Sequence, residues 1–212
     1  MNCGRRSLAE LDNLLKEGVT ELNIRLTQIT LDKIWLYVDY LTHWNNTYNL
    51  TAIKDKRNMI IKHVLDSLSL YPFLHGTRCL DVGTGPGLPG FMLALALPKI
   101  EFVLLDSQIK KTQFIRRVLR EIPLDNVEVC HQRVEDHKPT LLYDIIVSRA
   151  FASLRDMIQG TAHLRAPQGY YLAMKGIWPQ EEIAAIEKNY SVEVKALNVP
   201  FLQGERHVVI MR

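Results

Sequence analysis

Apolar residues over the first 75 positions recur at the three- and four-residue spacing of helices. Leu8, Leu11, Leu14 and Leu15 mark one helix, and Leu31, Ile34, Trp35, Val38 and Leu41 mark a second. A third is expected over 56–71, ending before Pro72. From Thr77 onward the pattern changes. Strand-like runs at 78–82, 102–106, 127–130, 144–148 and 170–174 alternate with helical stretches at 89–96, 109–121 and 154–163. Such alternation predicts right-handed crossovers and a parallel sheet. The end departs from it. After a helix at 181–188 come strand-like runs at 192–199 and 207–211, with too short a link for a helical crossover. They are expected to pair antiparallel, as a hairpin at the sheet edge. The predicted fold is α/β and Rossmann-like: a seven-stranded, mostly parallel sheet with an antiparallel C-terminal hairpin, plus an N-terminal helical segment. The expected division is 1–75 for the helical segment, packed on the core, and 76–212 for the sheet domain.

The most informative stretch, Leu80-Asp81-Val82-Gly83-Thr84-Gly85-Pro86-Gly87-Leu88-Pro89-Gly90, follows the first strand and opens the first crossover helix. Glycines there let the backbone turn sharply and approach a ligand closely. Pro89 suits the first helical position, and the free N–H groups beyond it are expected to face a cofactor. Two patterns overlap. Residues 85–90 match the G-x-G-x-x-G dinucleotide fingerprint. Residues 83–87, preceded by Asp81, match the loop that binds S-adenosylmethionine (AdoMet). A carboxylate repels a pyrophosphate but suits the ammonium of a methionine moiety, and Pro86 removes a donor that a phosphate would want. The antiparallel hairpin favours the same side, since a dehydrogenase would be expected to continue with parallel strands. Asp106 closes the second strand roughly 20 residues beyond the loop, where a carboxylate accepts both ribose hydroxyls; a helix N-cap is the alternative. Arg133-Val134-Glu135-Asp136 follows the third strand, where it either flanks an adenine or forms a solvated acidic loop.

The segment after the fourth strand reads Ser148-Arg149-Ala150-Phe151. Methylation of an exocyclic amine usually calls for an Asn/Asp-Pro-Pro-aromatic motif at this place. Attack through a base carbon needs a cysteine, and none is near in sequence. A ribose hydroxyl needs a base, for which only Lys175 stands after the fifth strand. Guanine N7 has a free lone pair and loses no proton, so it needs none of these. Arg149 sits at a strand end where α/β ligands bind and forks onto a guanine O6 or a cofactor carboxylate; a surface ion pair is the alternative. Phe151 is read as a core residue with base stacking as the other possibility.

Charge and cysteines narrow the classes. The 212 residues carry 26 basic and 23 acidic side chains, a net +3, so a nucleic-acid partner must be argued from clustering. Helix 109–121 supplies a cluster: Lys110, Arg116, Arg117 and Arg120 fall on one face, opposite Phe114, Ile115, Val118 and Leu119. Lys54, Lys56, Arg57, Lys62 and His63 extend the same rim, though an ordinary solvated face reads alike. Cys3, Cys79 and Cys130 are dispersed, which supports neither a disulfide framework nor a zinc site. No apolar run follows Arg5 and Arg6, and the longest apolar stretch, 91–97, is far short of a membrane span. No signal peptide, membrane or metal is expected, and the glycosylation-like triplets at Asn45 and Asn49 read as chance. His63 and Asp66, one turn apart, either face a substrate cleft or form a structural pair.

Together these motifs resemble the RsmG (GidB) family of bacterial small-subunit rRNA guanine-N7 methyltransferases. The resemblance runs from about Trp44 to Val209. It rests on Trp44-Asn45 with 48–51, His63 with 66–68, the double-proline glycine loop, 105–107, Ser148-Arg149-Ala150-Phe151-Ala152, Lys175-Gly176 and Gly204-Glu205-Arg206-His207. It implies a class I AdoMet-dependent methyltransferase fold and AdoMet contacts at Gly83, Leu88, Val134, Glu135 and Arg149, which join Asp81, Gly85 and Asp106 from the loop reading as the expected cofactor-binding residues. It implies 16S rRNA, or a small ribosomal subunit particle, as partner, with the target guanine in the decoding-region loop. Lys110, Arg116, Arg117, Arg120, Lys175 and Arg206 are the expected RNA-binding residues, and Arg149 the residue that positions substrate or cofactor. A monomer in the cytoplasm is expected. Many members have Ala where Val134 stands, a change that a backbone contact survives. Without the resemblance, a small-molecule or protein methyltransferase, a non-catalytic RNA-binding protein and a dehydrogenase all stay open.

Overall fold

Strand residues alternate between two buried faces, and this sets the architecture. A computed structural model describes residues 8–149 and 151–212. Strands β1 Arg78–Val82, β2 Glu101–Asp106, β3 Val127–His131, β4 Tyr143–Ser148, β5 Arg165–Lys175, β6 Val192–Ala196 and β7 His207–Met211 form one sheet. Its order is β3-β2-β1-β4-β5-β7-β6. The first five strands run parallel, and β7 is antiparallel to both β5 and β6. The expected hairpin is therefore present.

Cys79, Phe102, Leu104, Ile145, Val147 and Leu172 point to one face. Helices α5 Gly90–Ala96 and α6 Ile109–Glu121 cover it, through Phe91, Leu93, Phe114, Ile115 and Val118. Leu80, Val82, Val103, Leu105, Ile146 and Tyr171 point to the other, covered by α7 Leu154–Thr161 and by Ile186 beyond α8 Gln180–Ala184. The N-terminal helices join the first face. Leu11, Leu15 and Val19 of α1 Leu8–Glu21 belong to the same cluster as Cys79 and Phe102, as do Leu31, Ile34, Tyr37, Val38 and Leu41 of α2 Gln28–Tyr48. Each such buried aliphatic side chain contributes about 1.5–3 kcal/mol. Thr27 caps α2 by accepting the Thr30 amide, and Asn49 ends it in a left-handed conformation. Tyr37, rather than the half-exposed Trp35, completes the apolar stripe of α2; the Trp35 indole instead donates to Asp12 at 3.1 Å.

The third helix differs from expectation. The chain is α-helical at α3 Lys56–Met59 and α4 Asp66–Leu68, but a π-helical turn, Ile60–Leu65, lies between them. There the Asp66 amide reaches the Ile61 carbonyl, five residues back. Pro72 sits inside a short 3₁₀ turn, Tyr71–Phe73.

Candidate active site

The carboxyl ends of β1 and β2 meet at the glycine loop, where two buried carboxylates stand. Asp81 is fully enclosed. Its Oδ2 accepts from the Thr84 hydroxyl at 2.6 Å and the Gly90 amide at 2.8 Å, tying both ends of the loop to the strand. Its Oδ1 is buried without a hydrogen-bond partner among the described residues. Burial pushes the Asp81 carboxyl up to about 6, opposed by those two hydrogen bonds and by the Arg149 charge. Asp106 accepts the Gly85 amide on Oδ2 at 2.9 Å and the Gln108 amide on Oδ1 at 2.8 Å, with Lys111 Nζ 3.7 Å from Oδ2. The N-cap residue of α6 is Gln108, so Asp106 holds that cap rather than being it.

Two glycines show why the loop needs them. Gly85 has φ 62°, and a Cβ there would meet no atom within 4 Å, so conformation and not crowding demands glycine. At Gly90 a Cβ would stand 2.8 Å from Asp81 Oδ2, so close helix–strand packing demands it. Pro89 is the N-cap of α5, after a cis Leu88–Pro89 bond, and not its first helical residue. The expectation that the amides beyond it face a cofactor is corrected: Gly90 donates to Asp81, and Phe91 to the Gly87 carbonyl at 2.7 Å. The remaining loop amides are equally committed. Gly83 and Thr84 donate to the Leu105 carbonyl, Gly87 and Leu88 to the Thr84 carbonyl, and Gly85 to Asp106. A pyrophosphate needs free amide donors, and this loop offers none between Gly83 and Phe91. The dinucleotide pattern at 85–90 therefore has no phosphate cradle behind it.

A cleft of about 270 Å³ opens beside the loop, lined by Gly83, Asp106, Gln108, Lys111, Gln132, Val134 and Glu135 among others. The structure thus brings together four of the expected cofactor residues: Gly83, Asp106, Val134 and Glu135. Asp81 and Gly85 stand in the loop itself. Leu88 lies in the hydrophobic core. Phe151 packs on the core of the other face.

Arg149 lines a second cleft of about 340 Å³, with Lys62, His63, Asp66, Lys175, Gly176 and Arg206. His63 and Asp66 share that cleft but are not each other's partner. The His63 Nδ1–H donates to the Lys62 carbonyl at 3.1 Å, which leaves Nε2 to accept the Thr51 hydroxyl at 2.8 Å. Burial, then the Arg149 charge, push His63 down to about 4. Asp66 pairs with Arg149 at 3.3 Å and Arg206 at 2.8 Å. Lys175 is held by Glu182 at 2.8 Å.

On α6, Lys110, Arg116 and Arg120 are exposed. Arg116 donates to the Val129 carbonyl at 3.1 Å, and Arg117 pairs with Glu121 at 3.0 Å. Lys110 and Arg120 make no ion pair among the described residues, so the uncommitted charge is narrower than the sequence suggests.

Over residues 30–209 the chain matches the family described as GidB, rRNA small subunit methyltransferase G. The chain belongs to this family. It is 46% identical to the ribosomal RNA small subunit methyltransferase G of Marinomonas sp. (strain MWYL1), covering 93% of this chain and 95% of that relative. Among solved structures it resembles a SAM-dependent methyltransferase from Aquifex aeolicus, with TM-score 0.54, 18% identity, and 73% and 92% of the two chains covered. It also resembles a Geobacter sulfurreducens SAM-dependent methyltransferase in complex with S-adenosyl-L-homocysteine, with TM-score 0.50, 18% identity, and 63% and 66% covered. The fold is thus that of class I AdoMet-dependent methyltransferases, as the strand pattern led one to expect. This GidB chain is a methyltransferase, and AdoMet is its methyl donor.

Some participants escaped the sequence reading. Tyr37, fully buried on α2, donates its hydroxyl to the Pro86 carbonyl at 2.9 Å and so fastens the N-terminal helices to the glycine loop. Burial raises its phenol, which keeps it a donor. Only its place in the apolar stripe hinted at this. Lys111 was equally unsignalled, five positions beyond Asp106 in a helix read for its outer face.

Proposed function

We propose that the chain transfers a methyl group from AdoMet to N7 of a guanine in 16S rRNA. One observation carries this reading: in the cationic cleft that Arg149 lines, His63, Asp66 and Lys175, the side chains that could serve as a base, already have partners. His63 is neutral and hydrogen-bonded to Thr51, Asp66 is spanned by Arg149 and Arg206, and Lys175 is held by Glu182. None stands ready to remove a proton, and an N7 lone pair requires none to be removed.

The residues fit the donor. The buried Oδ1 of Asp81, without a partner among the described residues, matches an ammonium group, and Gly85 leaves open space at its backbone. Asp106 has acceptor capacity beyond its two amide bonds for ribose hydroxyls, and Val134 and Glu135 would flank adenine. Bound there, AdoMet supplies an electrophilic methyl on a sulfonium. The chain's own part is alignment of the nucleophile and exclusion of water, with Arg149 positioning the target. The reading assigns 76–212 to AdoMet binding and 1–75 to a helical segment that frames the substrate side. It makes 16S rRNA or the small ribosomal subunit particle the partner of a cytoplasmic monomer, with Lys110, Arg116, Arg117, Arg120, Lys175 and Arg206 along the RNA path. No described helix is long and apolar enough to cross a membrane.

The test is transfer of radiolabelled methyl to small-subunit RNA, naked and assembled, followed by nucleoside analysis. Label is expected in 7-methylguanosine. Label in any other nucleoside, or none in RNA, refutes the assignment.

A further inference from the structure

We infer that Asp66 is a positioning residue that holds Arg149 and Arg206 as a paired guanidinium clamp for a phosphate of the RNA strand. The inference rests on the RNA reading above. Asp66 is only 2% exposed, yet it lines the cationic cleft. It sits at the start of α4 in the N-terminal half, whereas Arg149 follows β4 and Arg206 precedes β7. One carboxylate therefore joins three segments that meet only in the folded chain.

The geometry is divided evenly. Asp66 Oδ1 accepts from Arg206 Nε at 2.8 Å, and Oδ2 from Arg149 Nη1 at 3.3 Å. Arg149 Nη1 also reaches the Lys62 carbonyl at 3.3 Å, and Arg206 Nη1 the Glu205 carbonyl at 3.2 Å. A guanidinium has five N–H donors, so each arginine keeps donors for another acceptor while its plane is fixed.

The charges do not cancel. Among the described residues that line the cleft, Lys62, Arg149 and Arg206 stand against Asp66, a surplus of +2 from three cations and one anion, while Lys175 is offset by Glu182. One arginine would compensate a buried carboxylate; the second creates an anion site. Fixed guanidinium forks match phosphate oxygens in pairs, and such contacts set the register of a bound strand without reading its bases. The carboxylate of AdoMet shares this anionic chemistry, so the test separates the two sources.

The experiment compares Asp66→Asn and Arg206→Gln with the unaltered chain. It measures KM and kcat for small-subunit RNA, AdoMet affinity by calorimetry, and the slope of log RNA affinity against log salt. Expected in both variants are a KM for RNA raised several-fold and an unchanged AdoMet affinity, and in Arg206→Gln, which loses a phosphate-contacting cation, a salt slope shallower by about 1. A merely structural carboxylate would leave the KM for RNA alone. An unaltered slope in Arg206→Gln overturns the clamp, as does AdoMet affinity falling in step with RNA binding. Should Asp66→Asn not fold, Arg206→Gln carries the test, since its side chain is 29% exposed. If the unaltered chain methylates RNA and the variants behave alike, only the clamp fails; if it methylates no RNA, the functional reading fails with it.

Discussion

Asp81 joins loop architecture to the proposed cofactor chemistry through a single carboxylate. Its raised value, about 6 against an ordinary 3.8, means that the fold favours the protonated form. Its stability contribution is therefore complete below about 3.8 and lost as pH rises through about 6. An ammonium brought to Oδ1 opposes this by favouring the charged form. AdoMet affinity is expected to fall as pH drops through about 6, and Asp81→Asn to weaken binding and flatten that dependence; calorimetry at pH 5 and pH 8 checks both. His63 behaves oppositely. Its folded value lies near 4, below the ordinary 6.5, so its contribution is present above 6.5 and lost as pH falls through 4. No inflection of the methylation rate is expected from it between pH 6 and 8. An inflection in that range that vanishes in His63→Gln would restore it as a proton acceptor. Asp106→Asn keeps an acceptor for Gly85 or Gln108 but not the full carboxylate, and is expected to weaken AdoMet several-fold. Unchanged affinity would remove its ribose role. The positions of Asp81 and Asp106 were legible because strand, glycine and acid spacing are local. The partners of Asp66 were not, because Arg149 and Arg206 lie 83 and 140 positions away and nothing in spacing encodes the pairing.

Among the elements, α6 was read well for what periodicity controls. Phe114, Ile115 and Val118 are buried, and Lys110, Arg116 and Arg120 are exposed, as their phases require. The commitment of Arg116 to Val129 and of Arg117 to Glu121 depends on neighbouring side chains and β3, so it was invisible. Lys110→Glu with Arg120→Glu is accordingly expected to weaken RNA binding and flatten its salt dependence. An identical slope in filter binding would make this face a bystander. The π-helical turn at Ile60–Leu65 was hidden for a related reason: an apolar run carries no mark of where a helix widens. Its effect is to reset the phase of the chain, so that Ile60, Val64, Leu65 and Leu68 join the core while His63 and Asp66 reach the cleft.

For the whole molecule, the decisive fact is that the N-terminal helices and one face of the sheet form one hydrophobic cluster. Ile34→Ala should cost about 2–5 kcal/mol, and melting should stay a single transition, by circular dichroism, rather than splitting into a helical step and a sheet step. Two separate transitions would make the segments independent. The order of the sheet has its own consequence. β7 comes after β6 in the chain but lies between β5 and β6, with Val208, Val209 and Met211 wholly enclosed. A premature stop codon just before His207 would therefore do more than trim an edge. It would strip β6 of its neighbour and leave β5 with a raw row of unanswered backbone groups, an adhesive rim inviting aggregation rather than a slightly shortened enzyme.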